Sequence, residues 1–341
     1  MADHLLDIKD LSTYFFTHAG VVKAVNGVSF TLDRNETIGI VGESGSGKTV
    51  AAMSLLGLIP DPPGKVVGGT LMLGERDLRT MSDDEMRAVR GNDIAMIFQD
   101  PMTSLNPVMK VGKQVAEAII LHQDKSKSEA RRMAIEALVR VGIPDAPRRA
   151  EQYPFEFSGG MRQRVMIAMA VSSNPDVLIA DEPTTALDVT IQAQIIDVIR
   201  EMQFEFNSGV ILITHDLGVI AEIADKVMVM YGGRTVEYAP IDEIFYNAHH
   251  PYTWGLLSSL PRLDASQKMR LTPIEGQPPN LLFLPEGCPF AGRCPYELPQ
   301  CRGEWPAAET VAAAHGVHCW IPVDQRVALR AELPHFKEPA A

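Results

Sequence analysis

Gly42-Glu43-Ser44-Gly45-Ser46-Gly47-Lys48-Thr49 is the stretch that most constrains this chain, because it has the G-x-x-x-x-G-K-[ST] form of a phosphate-cradling P-loop. Its flanks are the ones that form requires. Thr37-Ile38-Gly39-Ile40-Val41 reads as a short buried parallel strand, and Val50 to Ile59 reads as a helix rich in Ala, Met and Leu. In that setting Gly42, Gly45 and Gly47 let the backbone curl, with Ser44 and Ser46 between them, so that successive N–H groups and the positive helix end face phosphates. Lys48 adds mobile positive charge, and the Thr49 hydroxyl can ligate Mg2+.

At 341 residues the chain is long for one domain and suggests a large domain with a smaller appendage. A net charge of -12 argues against a broad nucleic-acid-binding face, which needs clustered Lys and Arg. No stretch approaches the roughly 18 apolar residues that span a bilayer, and Met1 to Lys9 lacks a signal-peptide pattern, so the chain is expected to be soluble and not exported. All four cysteines lie after residue 287, which excludes disulfides spread through the fold and favours metal ligation in a cytosolic chain.

Apolar runs at Leu5 to Ile8, Tyr14 to Phe16 and Val21 to Leu32, broken at His18-Ala19-Gly20 and Asn26-Gly27, predict an antiparallel strand layer. Phe15, or its neighbours Tyr14 and Phe16, can stack on a nucleotide base. Gly69 to Leu73 and Asp93 to Phe98 are further expected strands, the latter leading to Gln99. Ser82 with Glu85 and Ser126 with Glu129 have capping-box spacing, and Val111 to Ala150 reads as a helical insertion in which the apolar run from Ala130 to Val141 is stopped by Gly142 and Pro144. Ser158-Gly159-Gly160 opens the next helix with a capping serine and two glycines that leave N–H groups uncovered, a second anion-attracting helix start. Val177 to Ala180 is a fully apolar strand that delivers Asp181 and Glu182 at its carboxyl end, where parallel sheets place ligands. Asp181 suits Mg2+ held through its water shell, and Glu182 suits the orienting of an attacking water. Val210 to Thr214 is another strand, with His215 at its end within reach of a γ-phosphate, and Lys226 to Met230 with Thr235 to Tyr238 form a hairpin through Gly232-Gly233.

In this order the motifs resemble the nucleotide-binding subunit of an ABC transporter: the P-loop at 42–49, Gln99 as the Q-loop glutamine, Phe157 to Gln163 as the signature, Asp181 with Glu182, Ala186-Leu187-Asp188 as the D-loop, and the switch His215. The signature departs from the family pattern at Phe157, usually Leu, and at Met161, usually Gln. The resemblance implies an α/β P-loop NTPase of ABC type, with an antiparallel β layer, a helical insertion at about 101–175 and a small loop-rich C-terminal module containing the cysteines. It also implies head-to-tail pairing with a second homologous ATPase subunit, each ATP lying between one P-loop and the partner's Ser158 to Gly160 turn. Gln99 would sense the γ-phosphate, touch the Mg2+ and couple to a membrane partner, with Glu182 and His215 acting at the water.

After about residue 255 the composition shifts, half of the 24 prolines falling there, so the boundaries are set at 1–255 and 256–341. Cys288, Cys294, Cys301 and Cys319 follow a C-x5-C-x6-C-x17-C spacing that can hold zinc or an iron-sulfur cluster; the missing C-x2-C to C-x4-C knuckle leans toward a cluster. Gly276 to Leu282, Leu284 to Phe290, Arg293-Cys294-Pro295, Phe98 to Pro107 and Phe157 to Ala170 resemble the ATPase subunits of bacterial oligopeptide and dipeptide importers. That resemblance implies a 4Fe-4S cluster on the four cysteines. It further implies two integral membrane permease subunits, an extracytoplasmic peptide-binding protein acting indirectly, and a peripheral place on the cytoplasmic face of the inner membrane. Rival readings are a dipeptide or nickel importer ATPase and, from another class, a soluble ABC ATPase acting on ribosomes or DNA.

Overall fold

The structure is a computed structural model that describes residues 4–185, 187–259 and 273–336. Ala186 of the expected D-loop lies outside the described residues.

Strand β1 (Leu6–Thr17) pairs antiparallel with β2 (Gly20–Leu32). Asn26-Gly27 does not break β2, contrary to expectation: Gly27 takes φ 78°, and the register against β1 shifts around Leu11 and Ser12. A bulge absorbs the irregularity and the ladder resumes. After β3 (Thr37–Val41) and α1 (Lys48–Leu55) comes β4 (Gly64–Leu73), which starts earlier than the sequence suggests because it pairs with β1 as far as Phe15. The two-residue β5 (Arg76–Asp77) completes this four-stranded sheet. Helix α2 (Asp83–Val89) carries both halves of the Ser82/Glu85 capping box.

The chain then passes through β6 (Ile94–Ile97) into the insertion: α3 (Pro101–Ser104), α4 (Val111–Gln123), α5 (Lys127–Arg140), α6 (Ala146–Arg149) and α7 (Gly159–Val171). The helical region at 111–150 is three helices, divided just before the Ser126 cap, where Asp124 takes φ 50°, and at the expected stop, where Gly142 takes φ 74°. Next come β7 (Val177–Asp181), α8 (Val189–Phe206), β8 (Gly209–Ile213), α9 (Leu217–Ile223), β9 (Lys226–Tyr231) and β10 (Arg234–Pro240). Helix α8 begins after Asp188 because its carboxylate caps the Ile191 N–H at 3.0 Å.

The second sheet runs β6-β7-β8-β3-β9 in parallel, with β10 antiparallel beside β9. Alternation along each central strand divides the interior into two cores. Leu178, Ala180, Val210, Leu212 and Val229 face the helical insertion and α8, whereas Ile38, Ile40, Ile179, Ile211 and Ile213 face α1 and the antiparallel sheet. All five residues of β3, β7 and β8 are buried, which fixes where the strand ends emerge.

Helices α10 (Ile241–Asn247) and α11 (Pro251–Ser258) follow, α11 crossing residue 255. The strands β11 (Glu309–Ala312) and β12 (His315–Val317) do not form a sheet of their own: β12 pairs with β10 and so extends the parallel sheet, and α12 (Val323–Glu332) ends the described fold. This seam holds a buried pair, His315 Nε2 to Glu237 Oε1 at 2.8 Å, both side chains fully enclosed. Burial opposes the Glu237 charge, yet hydrogen bonds from His315 and the His249 amide hold it below the usual carboxylate range.

Burial pushes His249 and His250 down to about 4, so both are neutral in the fold. The unfolded chain takes up these protons near pH 6.5, so the stability they lend is present above that pH and is lost as pH falls toward 4. The midpoint of chemical unfolding is therefore expected to drop through this window, and His249→Gln to flatten the drop. An equal slope in the variant would remove His249 from the account.

Candidate functional site

The strand–loop–helix geometry of the phosphate loop follows from two close approaches. Gly42 sits at φ 152°, where a Cβ would stand 2.2 Å from the Met230 carbonyl oxygen; Gly47 sits at φ 102°, where one would stand 2.3 Å from the Ala24 carbonyl oxygen. Only glycine lets the loop pass between β9 and β2 while turning its N–H groups outward. Ser46 anchors it: its carbonyl accepts from Gly233 N–H at 3.0 Å, and its amide donates to the Glu43 carbonyl at 3.2 Å. Ser44, Gly45 and Thr49 remain exposed at the mouth.

Lys48 folds back over the loop, donating to the carbonyls of Gly42 at 2.7 Å and Glu43 at 3.0 Å. Its burial lowers its pKa, against the opposing pull of Glu182, Asp181 and Glu43. These are weak substitutes for an anionic ligand, and a bound phosphate would draw the ammonium away from them.

The ends of β6, β7 and β8 deliver the remaining groups to the same place. Thr49 Oγ1 donates to Asp181 Oδ1 at 3.2 Å, and Asp181, 2 % exposed, has its pKa raised chiefly by burial. A buried carboxylate beside a hydroxyl at a phosphate loop is the donor pair that a hydrated Mg2+ would satisfy. Glu182 is the hub: its carboxylate accepts from Gln99 Nε2 at 2.8 Å and from Thr185 Oγ1 at 2.8 Å, and lies 3.4 Å from His215 Nδ1. Its backbone is held at φ 47° by a hydrogen bond from its amide to the Ile213 carbonyl at 2.8 Å. A left-handed glutamate costs on the order of 1–3 kcal/mol, and such strain is typical of a side chain aimed for chemistry.

The structure therefore brings Lys48, Thr49, Gln99, Asp181, Glu182 and His215 together from three strand ends and a helix start. It does not bring the Ser158–Gly160 turn to them. Ser158 Oγ accepts from Met161 N–H at 3.4 Å as expected of a cap, Gly160 packs on Ile191, and a Cβ on Gly159 would meet open space. Among the described residues no hydrogen bond or ion pair joins this turn to the phosphate loop, and Ser158 and Gly159 are exposed. Phe15 packs against Gly64, Tyr14 donates to Asn26 Oδ1 at 2.9 Å, and Phe16 is 53 % exposed. Sequence alone assigns no role at the site to Thr185, which donates to Glu182, to Tyr252, whose hydroxyl accepts from the Glu43 N–H, or to Arg293, which pairs with the Glu43 carboxylate.

The four cysteines are free thiols lining one enclosed apolar cavity with His250, Phe290 and Ile321 among its walls. Every sulfur accepts a backbone N–H, from Phe290 for Cys288, Tyr296 for Cys294, Leu298 for Cys301 and Ile321 for Cys319. Burial pushes the thiols of Cys288 and Cys294 up to about 12 and that of Cys319 to about 11. Among the described residues no three His, Cys, Asp or Glu side chains are drawn into a metal-holding array.

Comparison with known proteins decides the family. Residues 25–185 match the family described as ABC transporter, and residues 236–301 match the oligopeptide/dipeptide transporter C-terminal region. Over 95 % of its length the chain is 52 % identical to the dipeptide transport ATP-binding protein DppD of Bacillus subtilis, covering 96 % of that protein. The chain belongs to the ABC transporter family.

It is also 50 % identical to the oligopeptide transport ATP-binding protein OppD of Escherichia coli, over 95 % of each chain. Among solved structures it resembles the ATP-binding cassette MJ0796 in a dimeric post-hydrolysis state bound to ADP and Pi. That likeness has a TM-score of 0.63 and 25 % identity, covering 69 % of this chain and 98 % of the cassette. As an ABC transporter ATPase the chain is an ATP-hydrolysing enzyme coupled to transport, for which ATP and Mg2+ are the expected ligands. Cassettes of this family work as dimers with membrane permease components, and among the described residues no helix is long and apolar enough to cross a membrane.

Proposed function

We propose that this chain is the ATP-hydrolysing subunit of a bacterial oligopeptide importer, seated peripherally on the cytoplasmic face of the inner membrane. The observation that carries the reading is the split of phosphate-seeking elements: a complete phosphate loop with Asp181, Glu182, Gln99 and His215 around it, and a second open helix start at Ser158 that this site does not use. A second homologous ATPase chain, arranged head to tail, uses both. Each ATP then lies on Gly42 to Thr49 of one chain and on the Ser158–Gly160 N–H groups of the other, with Phe15 offered to the base and Mg2+ on Thr49 and Asp181.

Two permease subunits provide the membrane passage. Supporting this, an apolar groove of about 510 Å3 opens beside Gln99, lined by Leu58, Met96, Phe98, Ala118, Met166 and Met169. A segment of a permease seated there would feel Gln99 move with the γ-phosphate. Peptide is captured outside by a binding protein and does not reach this chain. The dipeptide reading stands beside the oligopeptide one because relatives of both names match at similar identity, 52 % and 50 %.

What supports a thiolate-bound metal centre in the module is donor type: four sulfurs line one cavity and each accepts a backbone N–H. We assign it a 4Fe-4S cluster on Cys288, Cys294, Cys301 and Cys319, which would tie the loops of the module together. The enclosed space is about 20 Å3, room for a single ion before the side chains spread, so zinc is the competing occupant.

The test is uptake by cells lacking this chain. Import of labelled tetra- and pentapeptides is expected to be lost, with dipeptide import retained. Loss of dipeptide import alone would move the chain to the dipeptide class, and loss of neither would refute the importer reading.

A further inference from the structure

Glu43, the second residue of the phosphate loop, is an unexpected neighbour for a triphosphate, since its carboxylate opposes the charge that the loop must attract. The structure cancels it from a distant part of the chain. Arg293 lies in the turn between Cys288 and Cys294, and its side chain is 8 % exposed. All five of its N–H donors are used. Nη1 donates to Glu43 Oε2 at 2.5 Å and to the Tyr231 hydroxyl at 3.0 Å, Nη2 to Glu43 Oε1 at 3.1 Å and to the Ile274 carbonyl at 3.1 Å, and Nε to the Glu275 carbonyl at 2.9 Å. The pair is a two-pronged fork whose plane the protein fixes on every side.

Glu43 is tied at its backbone as well. Its N–H donates to the Tyr252 hydroxyl at 2.8 Å, and its carbonyl accepts from Lys48. Tyr231, Tyr252 and Phe290 pack tilted and edge-on against one another, their centroids 4.5–5.3 Å apart, and the guanidinium lies over the Tyr231 and Phe290 rings. The position of Arg293 is in turn set by the cysteine turn: Ala291 N–H donates to the Cys288 carbonyl at 3.0 Å, Arg293 N–H to the Phe290 carbonyl at 2.9 Å, and Cys294 N–H to the Ala291 carbonyl at 3.1 Å. A short chain of contacts therefore runs from the sulfurs to the phosphate loop.

We infer that Arg293 is a positioning residue for ATP binding: it neutralises and aims Glu43, and through it the filled four-cysteine site holds the phosphate loop in its binding shape. The link to the metal centre rests on the cysteine assignment proposed above; the link to Glu43 does not. If the centre is lost, the turn from Cys288 to Cys294 loosens, Arg293 leaves its fork, and Glu43 faces the phosphates uncompensated.

The test uses the full chain, purified without oxygen, with ATP affinity measured by a fluorescent ATP analogue and with iron, sulfide and zinc determined on every sample. Arg293→Met is expected to weaken ATP binding on the order of tenfold, the scale of a lost charged hydrogen-bonded pair. Adding Glu43→Gln is expected to recover most of that loss, which general damage to the module would not allow. Wild-type affinity in Arg293→Met, or a double variant as weak as the single one, would overturn the assignment. A comparison that leaves the module unaltered covers the case in which Arg293→Met does not fold. Stripping metal with a chelator is expected to weaken ATP binding by the wild-type chain and much less by Glu43→Gln. Equal losses in both would overturn the coupling. Metal-free wild-type protein at purification would refute the cluster reading and the coupling with it, while the two Arg293 variants would still decide the Glu43 pairing.

Discussion

Glu182→Gln is expected to bind ATP and to turn it over about 10²–10⁴-fold more slowly, the range supplied by a well-placed general base. The substitution is nearly isosteric and keeps an oxygen for Gln99 and Thr185, which both donate to the native carboxylate at 2.8 Å. What it removes is the negative charge and basicity that orient and polarise water. Because ATP then stays intact between paired chains, the closed dimer is expected to outlive that of the wild type. Both quantities are accessible in the assembled transporter, as phosphate release and as the lifetime of the ATP-bound dimer in size-exclusion chromatography. Unchanged turnover would remove Glu182 from this role and leave it as one member of a structural network with His215.

Lys48→Ala is expected to fail one step earlier, at binding. A hydrogen bond to a charged group contributes about 1.5–3 kcal/mol, so losing the ammonium should weaken ATP on the order of 10–100-fold. The loop loses its own ties as well, since Lys48 donates to the carbonyls of Gly42 and Glu43 when no phosphate is present. Equilibrium binding of ATP to the isolated chain measures the effect, and wild-type affinity would refute the cradle. The two variants thus separate the site into a binding half on α1 and a hydrolytic half at the end of β7.

Much of this molecule was legible in local patterns because the forces behind them are local. The Ser82/Glu85 and Ser126/Glu129 capping boxes formed as spaced, since each closes within four residues. The apolar runs at 37–41, 177–180 and 210–214 mark the fully buried parallel strands β3, β7 and β8, since a strand without polar alternation must be covered on both faces. Asn26-Gly27 misled for the same reason. The pair has turn chemistry in isolation, but pairing with β1 on one side makes a bulge cheaper than a break. Within 111–150 the Ser126/Glu129 box marked the start of α5, but not the left-handed turn at Asp124, φ 50°, that ends α4.

The sequence by itself determined the chemistry: a glycine loop that must curl, a lysine and a threonine at a helix start, and two carboxylates leaving a buried strand. Steric and hydrogen-bonding rules over a few residues are enough for that. Only the tertiary structure decided who meets whom. Gln99, Glu182 and His215 converge because β6, β7 and β8 lie side by side in the sheet. The Ser158 turn is left outward, and β12 joins β10 rather than closing a sheet of its own. Arg293 finds Glu43 across 250 residues of chain. Such contacts depend on strand order and on the burial of opposite charges together, which no short window of sequence encodes.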